Sequence, residues 1–352
     1  MVMRHRVVQW GTGMVGARAL KQALVHPDID VVGVRVYNPA KVGIDAGALA
    51  GVDQSGVLAT NDIGAILDLH PDCVVHAPLS LDLEETVAEL ETLLAAGINV
   101  VSSAVNVAMH PRSMDPHLRA RLETACEAGK STLRAAGLSP GFANELLPVV
   151  LSGLCGPIRR VTVSEFANLA HYESETVSSL LGWGRERTYV LPDAFRARID
   201  QSFLAPMRMI GTCLGAELTD ITTVVTPAIA TQAFKIHTGS IEPGTIAGWR
   251  LVYTGSIDGE ARVSIDTSWH LHKEFGIGPD WPRGEGWDIS IDADPEVRLH
   301  WEVGPNDPTQ SMSSQRMSAS AAHLVNAVPA VCAAPSGIMT LADLGNATGR
   351  WA

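Results

Sequence analysis

Three glycines near the amino terminus have the spacing of a phosphate-binding turn. Gly11, Gly13 and Gly16 form a G-x-G-x-x-G pattern after a short apolar run that ends at Trp10. Such glycines permit a sharp bend, a close approach of phosphates and tight packing of the following helix, whose first amides attract an anion. The pattern predicts a dinucleotide pyrophosphate site, with a purely structural glycine turn as the alternative. The predicted residues are Gly11, Thr12, Gly13, Met14, Val15 and Gly16.

The end of the second predicted strand, over residues 30–37, bears on which dinucleotide binds. Arg35, Asn38 and Lys41 lie at or just after this end, and no aspartate or glutamate stands there. NAD-binding units place an acid here on the ribose hydroxyls, whereas a cation accommodates the 2′-phosphate of NADP. We therefore assign these three residues to the cofactor and predict NADP, with NAD as the second possibility. The alternative is that Arg35 and Lys41 are solvated surface cations.

Two later strand ends supply further predicted cofactor contacts. Ala77 and Pro78 follow one predicted buried strand, and Ser102 and Ser103 follow the next. Ligands of parallel sheets lie beyond the carboxyl ends of the strands. These loops are therefore expected to converge on the cofactor.

Glu145 and Asn326 each have a functional and a structural interpretation. Glu145 lies in the first turn of a helix predicted over 143–154, where it either faces a cleft or interacts with the helix dipole. Asn326 lies in an apolar helix predicted over 318–328. It either holds the nicotinamide amide or caps the carboxyl end of that helix.

Three aromatic residues are candidates for a substrate pocket, and two histidines are candidates for a metal site. Phe142, Phe166 and Trp183 either line an apolar substrate pocket or belong to the core. His270 and His272 alternate on a predicted strand and are expected to share a face. Because no third ligand stands at a telling spacing, no metal is predicted.

Strands and helices alternate through the first part of the chain. This alternation predicts a parallel, doubly wound sheet of the Rossmann type. A glycine- and proline-rich cluster at 137–142 then marks a domain crossing. The elements predicted beyond it are a helix over 143–154, a strand over 158–168, a helical stretch over 174–214, strands over 249–257, 261–270, 287–291 and 297–303, and a helix over 318–328.

The predicted fold class is α/β, a Rossmann-type sheet with a second α+β domain that has a mixed or antiparallel sheet. Asp258-Gly259 between two of the later strands is a hairpin signal. The first domain is predicted over 1–141 and is completed by the C-terminal residues 318–352. The substrate domain is predicted over 142–317.

Composition narrows the class of protein. The chain has 352 residues and a formal net charge of -12, with no basic run, so nucleic acid is not expected as a partner. No apolar run reaches the length of a membrane span, and no signal peptide is expected. The five cysteines are scattered and odd in number, which is typical of reduced thiols. These features predict a cytoplasmic protein.

Several stretches along the chain resemble the dihydrodipicolinate-reductase-like superfamily. Within it, the chain is most similar to the group of 2,4-diaminopentanoate dehydrogenases and native amine dehydrogenases. The matching stretches are Gln9-Trp10-Gly11-Thr12-Gly13, Asn99-Val100-Val101-Ser102-Ser103, Gly137-x-x-Pro140-Gly141-Phe142, Glu145-Leu146-Leu147-Pro148, Gly244-Thr245-Ile246-Ala247-Gly248-Trp249 and Val325-Asn326-Ala327-Val328-Pro329-Ala330-Val331.

The resemblance implies a homodimer, formed through the second domain, and an NAD(P)-dependent reaction at a C–N bond. Such enzymes form an amine from a small ketone or aldehyde and ammonia, or oxidise the amine. His171 and Tyr172 stand where the group has a substrate-pocket tyrosine. Tyr172 is accordingly expected to donate a hydrogen bond to the substrate, with an ordinary loop as the alternative for both residues.

One loop departs from the resembled group. Amine-forming members have a glutamate after the strand that contains Val100 and Val101, whereas residues 102–110 here contain no acid. Asn106 in this loop can hydrogen-bond an amine or carbonyl but cannot act as a base. Either another group does so, with Asn106, Glu145 and Tyr172 as the catalytic candidates, or the protein reduces imines or carbonyls without ammonia chemistry. The alternative outside enzymes is a dinucleotide-binding sensor.

Overall fold

The computed structural model describes residues 4–304, 311–345 and 348–351. Its strands are β1 (His5–Trp10), β2 (Ile29–Arg35), β3 (Ala59–Thr60), β4 (Cys73–His76), β5 (Asn99–Ser102), β6 (Thr132–Ala135), β7 (Arg160–Asn168), β8 (Asp220–Ile229), β9 (Phe234–Ile236), β10 (Gly239–Ile241), β11 (Ile246–Ile257), β12 (Glu260–His270), β13 (Gly286–Asp292), β14 (Val297–Trp301) and β15 (Gly337–Met339). Its α-helices are α1 (Met14–Val25), α2 (Ala46–Ala50), α3 (Ile63–Leu67), α4 (Leu83–Ala95), α5 (Pro116–Gly129), α6 (Leu147–Ser152), α7 (Glu175–Leu180), α8 (Asp193–Cys213) and α9 (Met312–Ala333).

The chain divides into two compact units. Unit 1 comprises the described parts of Met1–Phe142 with Met317–Asp343, and unit 2 those of Ala143–Arg316 with Leu344–Ala352. In the described part of the chain, no helix is long and apolar enough to cross a membrane.

Unit 1 is built on a parallel sheet in the order β15-β6-β5-β4-β1-β2-β3. Trp10, the last residue of β1, pairs with Arg35 on one side and with His76 on the other. His76 in turn pairs with Ser102. The register therefore places the ends of β2, β1, β4 and β5 in one row at the carboxyl edge of the sheet. The predicted Rossmann-type sheet is confirmed.

The core of unit 1 includes residues from both ends of the chain. Buried side chains of α1, such as Leu20, share a core cluster with strand residues and with α9. The buried positions of α9 recur at helical spacing and form one apolar stripe. They are Ala321, Leu324, Val325, Ala327, Val328 and Val331. β15 then pairs with β6 and extends the sheet.

Unit 2 is built on a mixed sheet in the order β14-β13-β7-β12-β11-β8. β7 and β12 run parallel, and the other neighbours are antiparallel. Asp258 and Gly259 join β11 to β12 with positive φ angles of 52° and 79°, as a tight hairpin turn requires. The predicted mixed sheet and hairpin are confirmed.

Several predicted elements differ from those observed. The second strand ends at Arg35 rather than at residue 37. The helix predicted over 143–154 is an α-helix only over α6, and the segment before it, residues 138–146, is π-helical with non-helical angles at Ser139, Pro140 and Gly141. The helical stretch predicted over 174–214 divides into α7 and α8, since Gly182 and Gly184 between them have positive φ. The helix predicted over 318–328 extends across the whole of α9.

Candidate functional site

The glycine turn between β1 and α1 has the geometry of a phosphate cradle. Gly11 has a φ of 86°, and its amide donates to the carbonyl of Arg35 at 2.9 Å. A Cβ on Gly16 would lie 2.1 Å from the carbonyl oxygen of Gly11, whereas a Cβ on Gly13 would meet no atom within 4 Å. Because no side chain caps α1 and its first turn carries no acid, the cradle fits a dinucleotide pyrophosphate.

Lys41 lies beside this turn. Its Nζ donates to the carbonyl of Thr12 at 2.9 Å and contacts the Thr12 hydroxyl at 3.2 Å. Asn38 begins the short 3₁₀ turn that contains Lys41 and accepts a hydrogen bond from the amide of Ala40 at 3.0 Å. These contacts hold the amino group of the half-buried Lys41 next to the predicted pyrophosphate position.

Arg35 is enclosed rather than exposed. Its guanidinium carbon lies 3.6 Å from the ring centroid of Tyr37 and 5.0 Å from that of Trp10. Its Nη2 lies 3.8 Å from Oε1 of Glu89, and its side chain is 11% exposed. The interpretation of Arg35 as a solvated surface cation is therefore wrong. The premise that no acid lies near this strand end is also wrong, because α4 contributes one.

Glu89 is the centre of a polar network at the carboxyl edge of the sheet. Its Oε2 accepts from the Tyr37 hydroxyl at 2.6 Å and from Nε1 of Trp10 at 3.3 Å, and lies 3.3 Å from Nε2 of His76. Burial opposes ionisation of Glu89, but the hydrogen bonds from His76 and Tyr37 outweigh it and lower its pKa. Burial and the adjacent carboxylate raise the pKa of Tyr37. Glu89 is therefore an anion at neutral pH.

The loops after β4 and β5 are tied to the same edge. Burial lowers the pKa of His76, so its ring is neutral at pH 7, and its Nδ1 lies 2.9 Å from the Ser102 hydroxyl. The amide of Ser103 donates to the carbonyl of His76 at 3.0 Å. A Cβ on Gly11 would lie 3.1 Å from the carbonyl oxygen of Ala77 and 3.2 Å from Pro78. The structure thus brings these predicted cofactor residues together around the glycine turn.

Two further predicted residues of unit 1 lie elsewhere. Asn106 begins a 3₁₀ turn over Asn106–Met109, in the loop after β5, and is half-buried. Asn326 is exposed within α9, which continues seven residues further to Ala333. It therefore does not cap the carboxyl end of a helix, and that alternative is wrong.

The remaining predicted residues have diverse surroundings. Glu145 is 7% exposed and lies two residues before the start of α6. Phe142, in unit 1, meets the ring of His323 edge-on at 5.3 Å. In unit 2, Phe166 is buried in β7, and Trp183 packs against a core cluster of Ala230, Ile241, Ala247 and Leu271.

The predicted pair His171 and Tyr172 follows β7. His171 is exposed, whereas Tyr172 is half-buried, and burial raises its pKa. The amide of Tyr172 donates to the carbonyl of Leu169 at 3.0 Å, which makes this segment a tight turn. The turn holds Tyr172 in place close to the strand end.

A buried ionic cluster in unit 2 was missed from the sequence. Arg316 lies 3.3 Å from Oε1 of Glu165 and 3.6 Å from Oε2 of Glu285, and its guanidinium carbon lies 4.4 Å from the Trp287 ring centroid. Glu165 is on β7, Glu285 immediately precedes β13, and Arg316 is on α9. No spacing signal could have predicted the cluster, because its members come from three distant segments.

The two histidines considered for a metal do not form a pair. β12 ends at His270, and Nδ1 of His272 accepts from the amides of Glu274 and Phe275 at 3.2 and 3.1 Å. Among residues 4–304, 311–345 and 348–351, no group of three or more His, Cys, Asp or Glu side chains is placed to hold a metal ion. All five cysteines are free thiols.

Comparisons with known proteins agree with this architecture. Residues 142–349 match the family model of the 2,4-diaminopentanoate dehydrogenase C-terminal domain. An amine dehydrogenase of Streptomyces virginiae is 30% identical over 347 residues, which cover 96% of this chain and 95% of the relative. A 2,4-diaminopentanoate dehydrogenase of Acetoanaerobium sticklandii is 20% identical over 287 residues, which cover 76% and 77%.

A solved structure shows the same fold. The amine dehydrogenase from Mycobacterium smegmatis superposes with a TM-score of 0.73 at 24% identity, covering 96% of this chain and 95% of that one. The family model spans more than half of the chain, and the 30% identical relative spans nearly all of it. The chain therefore belongs to the amine dehydrogenase and 2,4-diaminopentanoate dehydrogenase family of NAD(P)-dependent oxidoreductases.

Proposed function

We propose that the protein catalyses the reductive amination of a small apolar ketone or aldehyde with ammonia, or the reverse oxidative deamination. The observation that carries this proposal is the likeness, over nearly the whole chain, to a relative named amine dehydrogenase. The cradle at Gly13 supports it, because it provides the dinucleotide site that such a reaction needs.

The proposed cofactor is NADP, with NAD as the second ligand. When bound, the nicotinamide supplies or accepts the hydride. Gly11, Gly13 and the first turn of α1 would hold the pyrophosphate. Lys41 supports the choice of NADP, because its amino group is fixed beside the glycine turn. Arg35 and Asn38 remain assigned to the ribose end of the cofactor, and Asn326 to the nicotinamide amide.

The proposed catalytic residues are Asn106, Glu145 and Tyr172. The Asn106 amide would orient the amine or carbonyl, since it can donate and accept hydrogen bonds but cannot take a proton. The Glu145 carboxylate would take the proton from the amine, and the Tyr172 hydroxyl would donate to the substrate. Phe142, Phe166, His171 and Trp183 remain the proposed pocket residues.

An isosteric substitution tests the assignment of Glu145. Glu145→Gln keeps the shape of the side chain but removes the base, so we expect kcat to fall by at least about 100-fold. Binding of NADPH, measured by calorimetry, should remain unchanged. Activity of the variant close to that of the wild type would contradict the role, and loss of cofactor binding would indicate a structural one.

The reaction itself is tested by following the absorbance of NADPH with a panel of ketones and aldehydes, with and without ammonium. Oxidation of NADPH that requires ammonium is the expected result. Binding of NADPH without oxidation under any condition would contradict the proposal and favour a sensor.

The second candidate function is imine or carbonyl reduction without ammonia chemistry. The specific observation in its favour is that residues 102–110 contain no acid, where amine-forming members of the resembled group have a glutamate. Oxidation of NADPH at equal rates with and without ammonium would establish it.

We also propose that the protein is a cytoplasmic homodimer, as the family resemblance implies. Light scattering coupled to gel filtration tests this assembly, with twice the chain mass of 37.4 kDa as the expected result. A species of 37.4 kDa at micromolar concentration would contradict it.

A further inference from the structure

A carboxylate stands at the end of β2, although residues 31–41, which form the end of the strand and the segment just after it, supply none. Glu89 belongs to α4, yet its Oε2 lies 2.6 Å from the hydroxyl of Tyr37, two residues after the strand. Its Oε1 lies 3.8 Å from Nη2 of Arg35, the last residue of the strand. These two contacts define the position of Glu89 at the strand end.

This position matters for the ribose of a bound dinucleotide. In parallel sheets of this type, the group attached at the ribose 2′ position lies at the end of the second strand. A carboxylate there accepts hydrogen bonds from a 2′-hydroxyl and repels a 2′-phosphate. The side chain of Glu89 is 21% exposed, so a ligand can reach its carboxylate.

Glu89 also reduces the positive charge that Arg35 can present to a 2′-phosphate. The guanidinium is stacked on Tyr37 and lies close to Glu89, so its charge is partly neutralised before any ligand arrives. Of the two cations near this strand end, Lys41 has polar contacts that are neutral, to Thr12. The positive charge of Lys41 therefore favours binding of the 2′-phosphate of NADP, whereas the negative charge of Glu89 disfavours it.

The carboxylate is held firmly. Donors from Trp10, Tyr37 and His76 meet at Oε2, which leaves Oε1 directed towards Arg35. His76 is itself fixed by the hydroxyl of Ser102 at 2.9 Å. Rotation of Glu89 away from the strand end would break three hydrogen bonds, so the carboxylate is a constant part of the site.

We propose that Glu89 is a specificity-determining residue, which limits the preference for the 2′-phosphate by placing its charge beside Arg35. The inference rests on the proposed dinucleotide site and not on the proposed amine chemistry. It assigns to a helix the carboxylate that NAD-binding units carry at the end of their second strand.

The test uses two cofactor fragments that lack nicotinamide. Calorimetry measures the affinity of 2′,5′-ADP and of 5′-AMP for the wild type and for Glu89→Gln. Removing one charge near the doubly charged 2′-phosphate should strengthen 2′,5′-ADP binding at least about fivefold, while 5′-AMP changes by less than about twofold. An unchanged ratio of the two affinities would overturn the proposal.

Two matched variants separate the charge from other effects. Glu91→Gln makes the same change of net charge on the same helix, but Glu91 pairs with Arg121 at 2.8 Å, so the ratio should stay constant. Tyr37→Phe removes one hydrogen bond to Glu89 and keeps the charge, so the ratio should again stay constant. An equal shift in Glu91→Gln would mean that net charge alone acts and would overturn the inference.

Failure of the amine chemistry is distinguishable from failure of this inference. The fragments cannot react, so their affinities are independent of any ammonium requirement. If neither fragment binds the wild type, the dinucleotide site is wrong and the inference falls with it. If circular dichroism shows that Glu89→Gln does not fold, Glu89→Asp serves as the second variant because it keeps the charge. Glu89→Asp should fold and retain the wild-type ratio of the 2′,5′-ADP and 5′-AMP affinities. A shifted ratio in Glu89→Asp would overturn the inference.

Discussion

At the scale of single residues, two glycines of the same motif have opposite tolerance for a side chain. Gly13 faces open space, and its φ of -79° is available to any residue. Gly16 faces the carbonyl oxygen of Gly11, which a Cβ would approach to 2.1 Å. Substitutions at Gly13 and Gly16 can therefore test cofactor binding and helix packing separately.

The first prediction uses this pair. Gly13→Leu should abolish NADPH binding, because the side chain fills the phosphate cradle, and should change the melting temperature by less than about 2 °C. Gly16→Ala should lower the melting temperature by several times that amount, since backbone must move. Calorimetric titration and thermal unfolding measure both effects. Tight NADPH binding by Gly13→Leu would show that the glycine turn is structural only.

The second prediction concerns His270, which is 2% exposed. Burial, with smaller effects from the charges of Arg316 and His272, lowers its pKa from 6.5 to about 4. The unfolded chain therefore binds this proton more readily, so stability is full above about pH 6.5 and falls as the pH decreases towards 4. Between pH 7 and pH 4.5, His270→Gln should lose about 2 kcal/mol less of its unfolding free energy than the wild type.

Urea unfolding at the two pH values measures this difference. The exposed His117, replaced by Gln, serves as the control and should follow the wild type. If His270→Gln also follows the wild type, burial of a neutral His270 does not contribute to the acid sensitivity.

The glycine turn could be predicted because its three glycines lie within six residues of sequence and follow a fixed spacing. Glu89 could not, because it lies 52 residues after its partner Tyr37 and belongs to another element. The sequence criterion for cofactor preference considers only the residues at the end of the second strand. It therefore cannot detect a carboxylate that a helix contributes.

At the scale of elements, α4 positions Glu89 and is stabilised at both its start and its exposed face. The Asp82 side chain accepts from the amides of Glu84 and Glu85 at 2.8 and 3.2 Å. Further along, Arg121 of α5 forms ion pairs with Glu84 and Glu91. The cap satisfies backbone donors that the helix cannot satisfy itself.

The third prediction is that Asp82→Ala lowers the free energy of unfolding by about 1 kcal/mol, the usual contribution of an N-cap. Denaturant unfolding measures the loss. Glu85→Gln, in the same turn, removes a side chain that does not cap the helix and should cost no more than a few tenths of that amount. Equal losses in the two variants would contradict the capping role.

Elements with clear local start and stop signals could be predicted from the sequence. Elements whose formation depends on their position in the sheet could not. α1 begins directly after the glycine turn and ends at Val25, because His26 precedes Pro27 and the residue before a proline is disfavoured in a helix. β8 was not predicted, and Pro227 within it argues against a strand. The sheet accepts this proline because β8 is an edge strand, where a missing donor costs little.

At the scale of the whole molecule, the last part of the chain contributes to both units. α9 packs its apolar stripe into the core of unit 1, and β15 pairs with β6. In unit 2, the amide of Ile158 donates to the carbonyl of Arg350 at 2.8 Å. The described part of Met317–Asp343 thus belongs to unit 1 and that of Leu344–Ala352 to unit 2, so neither unit takes the whole terminal segment.

The fourth prediction tests the contribution of α9 to unit 1. Leu324→Ala should cost about 3 kcal/mol of unfolding free energy, because Leu324 is fully buried and the truncation leaves a cavity. Ala330→Ser, at an exposed position of the same helix, should change it by less than about 0.5 kcal/mol. Denaturant unfolding provides the comparison, and a Leu324→Ala loss as small as that of Ala330→Ser would exclude a core position.

The position of Trp10 gives the protein a fluorescent property. Its buried indole precedes Gly11 directly, lies 5.0 Å from the guanidinium of Arg35 and donates from Nε1 to Tyr37 at 2.9 Å. The emission of an indole responds to nearby charges and to the partner of its N–H group. Any ligand that displaces Arg35 therefore changes the emission of Trp10, and a Trp10→Phe difference spectrum isolates this signal among the eight tryptophans. Trp10, at the end of β1, is thus an intrinsic fluorescent probe of ligand binding at this edge of the sheet.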